Sequence, residues 1–260
     1  MDKQASTREL RPLREAVPTA KHPADDVPMT ANASNLAGKR ACVPGLRIKR
    51  AHTATLRDEV YSLRYRAYRK EDAVDPNASE AFEDQYDHQP NHALWALTYE
   101  DKVIGSVRTT WFDPAEPHPI PEMDAYREDL AKVVAKDACI LSGNRLVTEP
   151  NLSSAGAQAV LLLLRHFMVT ASHRASDWAV AAARSNHLVF YRKVFRASVV
   201  SQSRMYPGLR CPMHLMICDL RRNNAFITEE TPSLKPRGYE QVFLDQKYQE
   251  IWEIGLPVET

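Results

Sequence analysis

The sequence predicts an α/β domain with a mixed central sheet flanked by helices, and three observations predict it. The first is the order of its periodic segments, which run strand, helix, hairpin, strand, helix, strand, helix, strand. The second is a pair of strand-length segments that read as buried strands, Ala138 to Val147 and the all-apolar Trp178 to Ala183. The third is the unbroken apolar run from Ala159 to Leu164 inside a long helical segment, which must bury most of its circumference against a sheet. No internal repeat competes with this reading.

Residues 1–43 are rich in Pro, Ala, Ser, Lys and Asp, include Pro12, Pro18, Pro23 and Pro28, and lack sustained periodicity. They are expected to form a disordered N-terminal arm. The folded domain is expected over residues 44–220 and opens with a short alternating strand after Gly45, marked by Leu46 and Ile48. Thr55 and Asp58 have capping-box spacing, and Leu56, Val60, Leu63 and Ala67 then recur at helical intervals, leaving Arg57, Arg64 and Arg66 on other faces. Residues 93–99 and 102–112 predict a hairpin across Glu100 and Asp101.

Four prolines in 113–121 exclude regular structure there, and 122–135 predicts a short helix. The strand from Ala138 ends before Glu149 and Pro150, and Ser153 or Ser154 can cap the long helix that runs to about Ser172. Trp178 to Ala183 is followed by a short helix at 187–196 and by two β-rich stretches in 197–220, interrupted at Pro207 and Gly208. Residues 221–260 read as a polar C-terminal extension with a helix from Tyr239 to Ile254.

With 260 residues, 44% of them hydrophobic and 26% charged, the chain can bury one sizeable core or at most two small ones. Its 34 Lys and Arg against 33 Asp and Glu create no global field to gather nucleic acid or acidic lipid. Cys42, Cys139, Cys211 and Cys218 lack metal-finger spacing and read as reduced thiols. Cys211, His214 and Cys218 lie on a predicted strand without an evident fourth ligand, so no metal site is expected. No apolar run approaches the roughly 18 residues a membrane span needs. The N-terminus also lacks a secretory signal's apolar core, and a cytoplasmic protein is expected.

Four segments occur in a telling order: Val60-Tyr-Ser-Leu-Arg64-Tyr-Arg-Ala-Tyr68, then Glu83-Asp84-Gln-Tyr-Asp87, then Gly105-Ser-Val-Arg108, then Asn144-Arg145-Leu-Val. In that order they resemble the acyl-homoserine-lactone (autoinducer) synthases. They are more similar still to the related long-chain N-acyl amino acid synthases, which share this sequence of Arg, acidic pair and Arg. The resemblance covers about residues 46–200 and implies the GNAT-like acyltransferase fold.

Three departures stand out. Autoinducer synthases usually carry Glu three residues before the Arg of the fourth strand, where this chain has Ser142, so no carboxylate base carries over to that position. The Gly-rich, basic pyrophosphate loop of acetyltransferases is reduced to Asn151-Leu-Ser-Ser-Ala-Gly156-Ala. Tyr191-Arg-Lys-Val-Phe195 resembles the superfamily's Tyr-x-x-x-Gly-Phe without its Gly.

The activity implied by the resemblance is transfer of a medium or long fatty acyl group from an acyl carrier protein thioester to the α-amine of an amino acid or similar small amine. The transfer would proceed by direct attack in a ternary complex. Such a reaction needs a neutral amine, an aligned carbonyl and donors for the developing oxyanion, and needs no protein nucleophile. A free α-amine has a pKa of about 7.7 to 8.0, so a base contributes little beside positioning, which can reach about 7 kcal/mol or more.

Arg108 and Arg145 with Asp84 and Asp87 are the candidate catalytic residues, Asp87 or a water it orders being placed to accept the proton. Arg64, Tyr68, Ser142 and Asn144 are candidates for holding the acceptor, a guanidinium meeting its carboxylate and a carboxylate its ammonium. A purely structural tether between helix and loop is an equally good reading of Arg64 and Asp84. The acyl chain needs an apolar cleft, for which Trp111, Phe112, Leu141, Leu161 and Phe167 are candidates, alongside ordinary core packing.

For the donor, the fold resemblance implies that Leu146 and Val147 line pantetheine and that Ser153, Ser154 and Gly156 at the helix start face its phosphate, with Tyr191 as a further candidate. The reduced loop favours an acyl carrier protein over coenzyme A, and no bound cofactor is expected. Arg165, Arg174, Arg184, Arg192 and Lys193 are candidates for an acidic carrier's landing surface. The alternatives are a coenzyme A-dependent acetyltransferase and a noncatalytic module that binds acyl carriers and regulates a partner.

Overall fold

The computed structural model of the chain describes residues 45–152, 155–236 and 254–255. The expected N-terminal arm, Ser153 and Ser154, and the segment from Tyr239 to Glu253 lie outside the described residues.

Strand β1 (Leu46–Arg50) leads into helix α1 (Ala54–Lys70) and then into a hairpin of β2 (His92–Tyr99) and β3 (Lys102–Phe112). Helix α2 (Glu122–Val133), strand β4 (Ile140–Thr148), helix α3 (Ala155–His173), strand β5 (Trp178–Ala183) and helix α4 (Leu188–Phe195) follow. The two-residue strands β6 (Ser198–Val199) and β7 (Arg204–Met205) precede β8 (Pro212–Asp219) and helix α5 (Leu220–Glu230). A last two-residue strand, β9 (Ile254–Gly255), pairs with β1.

Three local expectations are corrected. Helix α1 is capped by Thr53, whose hydroxyl accepts from the Leu56 amide at 3.3 Å; Thr55 already lies in the first turn. Beyond Asp219 the chain is not simply a polar tail, because α5 intervenes. Asp219 caps it by accepting from the Arg222 amide at 3.1 Å, and Ile227 and Leu234 are wholly buried in the core beside α3 and α4. Ile254, expected to end a helix, is in the strand that borders β1.

The strands form one sheet in the order β6, β8, β5, β4, β3, β2, β1, β9, with β7 paired to β8. Among the described residues every pairing is antiparallel except β4 with β5, and that exception organises the molecule. The parallel ladder covers only Ile140 to Ser142 against Trp178 to Val180, so from Gly143 onward β4 parts from β5. One face of the sheet is covered by α1 and α2, over a core that includes Tyr126, Leu130, Ile140 and Leu215. On the other face α3, α4 and α5 bury Leu141, Phe167, Phe195 and Met216. Period-two alternation along each strand sorts residues between these faces.

Candidate active site

Arg64 reaches the site from α1, where it lies on the buried face one turn beyond Val60 and beside Leu63. Its guanidinium has no exposed surface, and Nη1 donates to both oxygens of Asp87, at 2.8 and 3.0 Å. Its Nε and Nη2 are buried without a hydrogen-bond partner. Buried donors in that condition are uncommon and ask for an explanation.

The Asp-x-x-Asp spacing has a local cause. Residues Gln85–Asp87 form one 3-10 turn, in which the Asp84 carboxylate accepts from the Tyr86 amide at 2.9 Å and the Asp84 amide donates to Asp87 at 3.0 Å. This reciprocal cap holds both carboxylates toward the sheet. Arg108 on β3 meets both: Nη1 and Nη2 donate to Asp84 at 2.6 and 3.0 Å, and Nη1 lies 2.9 Å from Asp87. Arg145 on β4 donates to the same Asp84 oxygen through Nε at 3.0 Å and Nη2 at 2.6 Å. The Arg108 Nε donates to the carbonyl of Asn144, whose amide donates to the Ser142 hydroxyl at 2.9 Å.

Burial raises the Asp84 carboxyl's pKa, but the hydrogen bonds and charges of Arg108 and Arg145 outweigh it and leave the group far below the usual range. Asp87 is likewise lowered, burial being overcome mainly by Arg64 and Arg108. The guanidinium of Arg145 is held charged against its own burial. Three cations therefore face two anions in a setting with almost no solvent.

A β-bulge makes this convergence possible. Ser106 pairs with Val147 and Arg108 with Asn144, so Val107 faces two residues, Arg145 and Leu146, and Arg145 takes φ +55°. A left-handed conformation in a residue other than glycine costs about 1 to 3 kcal/mol, and contacts must hold it. The Asp84 pair supplies that hold, together with the Phe82 ring, whose centroid is 4.9 Å from the Arg145 guanidinium carbon. Because of the bulge Asn144 and Arg145 both serve the polar side, while Gly143 and Leu146 face the opposite one.

That opposite side holds an apolar cavity of about 40 Å3 where β4 and β5 part, enough for a few water-sized groups. Gly143, Leu146, Phe167, Tyr191 and Phe195 are among its walls. A Cβ added at Gly143 would stand 3.0 Å from the Phe167 ring, so any larger residue there must push that ring aside. Burial pushes the Tyr191 phenol up to about 12, so it is neutral at physiological pH.

The structure thus gathers Arg64, Asp84, Asp87, Arg108, Ser142, Asn144 and Arg145, with the Tyr68 ring beside the Arg145 guanidinium. Leu146 and Tyr191 line the cavity, whereas Val147 is buried on the α1 side. Trp111 and Phe112, expected near the acyl chain, are not among the cavity's lining residues, nor are Leu141 and Leu161; Phe167 is. Trp111 instead lies under Arg174, 3.3 Å from ring centroid to guanidinium carbon, and Phe112 packs against the core beneath α2. Gly156 lies in the first turn of α3 against Leu152. Among the basic candidates Arg192 and Lys193 are exposed on α4, Arg184 pairs with Glu71 at 2.9 Å, and Arg165 is buried.

One residue the sequence reading passed over is Glu122, the first residue of α2. Its side chain is fully buried, and it accepts from the Tyr206 hydroxyl at 3.4 Å. Burial pushes its pKa up to about 7, against the opposing pull of the facing Ser142 side chain, Arg108 and Arg145. An acidic first-turn residue is ordinarily a helix-end feature exposed to solvent, so the sequence held no signal for its burial.

Comparison with known proteins places these features in context. The family model described as N-acyl amino acid synthase FeeM matches residues 59–219. No curated protein sequence matches the chain. Among solved structures, FeeM, an N-acyl amino acid synthase from uncultured soil microbes, superposes with a TM-score of 0.59 at 12% identity, over 70% of this chain and 95% of that one. TofI, in a ternary complex with an inhibitor and MTA, gives 0.54 at 15% identity, covering 75% and 98%. BjaI, a coenzyme A-dependent acyl-homoserine lactone synthase with SAM and isopentyl-CoA, gives 0.51 at 16%, covering 76% and 98%. At such identities the superpositions speak to architecture, which is the GNAT-like acyltransferase fold.

Proposed function

Since this chain belongs to the N-acyl amino acid synthase FeeM family and is an N-acyltransferase, we propose that it joins a medium or long fatty acyl group to the α-amine of an amino acid, with an acyl carrier protein as donor. The observation that carries this reading is the buried guanidinium of Arg64, which spends Nη1 on Asp87 and has Nε and Nη2 unpartnered. A guanidinium edge of that shape suits a carboxylate, which can accept two parallel hydrogen bonds, and because the edge is wholly buried an acceptor reaches it only when neighbouring side chains move. Asp84 and Asp87 beside it suit the ammonium of the same acceptor.

Catalysis on this reading is mainly positioning. The acceptor's amine and the thioester carbonyl are aligned across the bulge of β4, and Arg108 and Arg145 are preorganised by Asp84 so that their charge costs no reorganisation during the reaction. Attack forms the C–N bond and breaks the C–S bond; the amine's proton leaves through Asp87 or a water it orders, and the departing pantetheine thiolate takes up a proton and leaves as the thiol. The donor's thioester arm occupies the gap between β4 and β5, beside Leu146 and Tyr191, and its acyl chain enters the apolar cavity. A long chain requires Phe167, Tyr191 or Phe195 to move, because the cavity as it stands holds only a few water-sized groups.

Support for a carrier-protein donor is the short loop after Pro150, which offers no basic residue for coenzyme A's extra phosphates, and the exposed Arg192 and Lys193 on α4. The structural likeness to coenzyme A-dependent BjaI favours the second reading, an acyl-coenzyme A donor. The test is to offer acyl carrier protein and coenzyme A, each loaded with several chain lengths, together with a pool of amino acids, and to search for amides by mass spectrometry. Amides from the carrier alone support the proposal, and amides from coenzyme A alone replace the donor. No product from either sinks the proposed activity.

A further inference from the structure

Three guanidiniums of Arg64, Arg108 and Arg145 against the two carboxylates of Asp84 and Asp87 leave one positive charge in excess, in a cluster nearly sealed from water. An uncompensated buried charge is expensive, so a third anion is to be expected nearby. The hydrogen-bond chain from Arg108 through Asn144 to Ser142 runs toward one: each group donates to the next, and the Ser142 side chain faces Glu122. Glu122 is wholly buried, accepts from Tyr206 on one oxygen, and has no partner on the other, Oε2.

We propose that Glu122 is a positioning residue of this site: it supplies the third negative charge to the arginine cluster and, by losing or gaining one proton, decides whether that cluster attracts an acceptor's carboxylate. The proposal rests on the reading that the acceptor is an amino acid. When Glu122 is ionised, the cluster is neutral and has little pull on an incoming carboxylate. When Glu122 is protonated, the excess positive charge returns and the carboxylate becomes the third anion. Binding of the acceptor's carboxylate therefore favours uptake of one proton by Glu122, which is returned to solvent when the product leaves.

The groups around Glu122 permit this exchange. Arg108 and Arg145 from the sheet pull it toward ionisation, against burial, and the balance lies at about 7. The phenols of Tyr206, Tyr126 and Tyr86, from the segment between β7 and β8, from α2 and from the 3-10 turn, all register its charge and are themselves pushed well above their ordinary values, chiefly by burial. They remain neutral where Glu122 titrates. A carboxylate at this place also occupies the surroundings of Ser142, the position at which the sequence lacks an acid.

The test compares the wild-type chain with Glu122→Gln, measuring amide formation against acceptor concentration from pH 6 to 8. In the wild type the acceptor KM should rise several-fold across this range, and in Glu122→Gln it should stay low and flat, while kcat follows the amine's own titration in both. A KM profile that is the same in both proteins overturns the proposal. Thermal unfolding is read without any substrate from pH 4.5 to 8, and Glu122→Gln should gain Tm relative to the wild type as pH rises to about 7 and keep that lead above it. If no amide forms with any acceptor but the Tm difference grows with pH, the amino acid reading has failed while the charge at Glu122 stands. A constant Tm difference shows that Glu122 does not titrate there, and overturns the proposal whatever the activity.

Discussion

The two sides of β4 are built on opposite principles. On the α1 and α2 side, Arg64, Asp84, Asp87, Arg108, Asn144 and Arg145 interlock through charge-assisted hydrogen bonds, most of them at 2.6 to 3.0 Å. On the α3 and α4 side, Gly143, Leu146, Phe167 and Phe195 leave a dry space with no directional contact to fix what enters. The first can discriminate by charge and geometry, since an ill-fitting ligand leaves buried donors unpaired. The second can discriminate only by volume, at about 0.8 kcal/mol per buried methylene. A transferase of this design should therefore be strict toward its acceptor and permissive toward its acyl chain.

Removing a charge from the polar side should have the largest effect. Arg108→Ala strands Asp84 and Asp87 beside each other with one fewer cation, and should lower unfolding stability by about 3 to 5 kcal/mol in urea titrations. A loss below about 1 kcal/mol would mean that the cluster behaves as if it were exposed. Next comes acid sensitivity. Asp84 and Asp87 are both held below the ordinary 3.8, so the stability they confer is complete above that value and drains away as pH falls below it. Circular dichroism from pH 5 to pH 2 should show this loss, and Asp84→Asn should flatten it.

The apolar side should answer more gently. Gly143→Ala sets a methyl group against Phe167, and overpacking of that kind typically costs about 1 to 3 kcal/mol. Competition between acyl donors of different length should show the variant shifted toward shorter chains with its acceptor KM unchanged; a change in acceptor KM would dissolve the division between the two sides. The smallest effect belongs to Arg66→Ala. It removes a half-exposed pair with Glu149 at 2.8 Å, outside both regions, and should alter stability by less than about 1 kcal/mol in the same urea titration.

Much of this was legible in the residues. The hairpin, Trp178–Ala183 and the long helix through Ala159 announce themselves because alternation and apolar runs are local properties, and so is the i, i+3 spacing that turns Asp84 and Asp87 toward one side. The convergence of Arg64, Arg108 and Arg145 was read from their order beside a family's motif, since nothing in the spacing of 64, 108 and 145 says that they meet. The burial of Glu122 was hidden, because it depends on where α2 lands on the sheet. Helix α5 carried a signal that was passed over: Asp219 as a cap, followed by Leu220 and Ile227 seven residues apart.

The bulge at Arg145 has a consequence for how such a chain can change. Upstream of it, even-numbered residues of β4 serve the polar side; downstream, Leu146 is turned to the cavity and Val147 to the α1 side. The strand therefore carries two phases joined at one residue, and deleting that residue would restore plain alternation with Leu146 and Val147 on their present sides, at the loss of one guanidinium from the polar side. Substitutions on either flank alter one side without moving the other, so the polar cluster and the apolar cavity can change as separate traits.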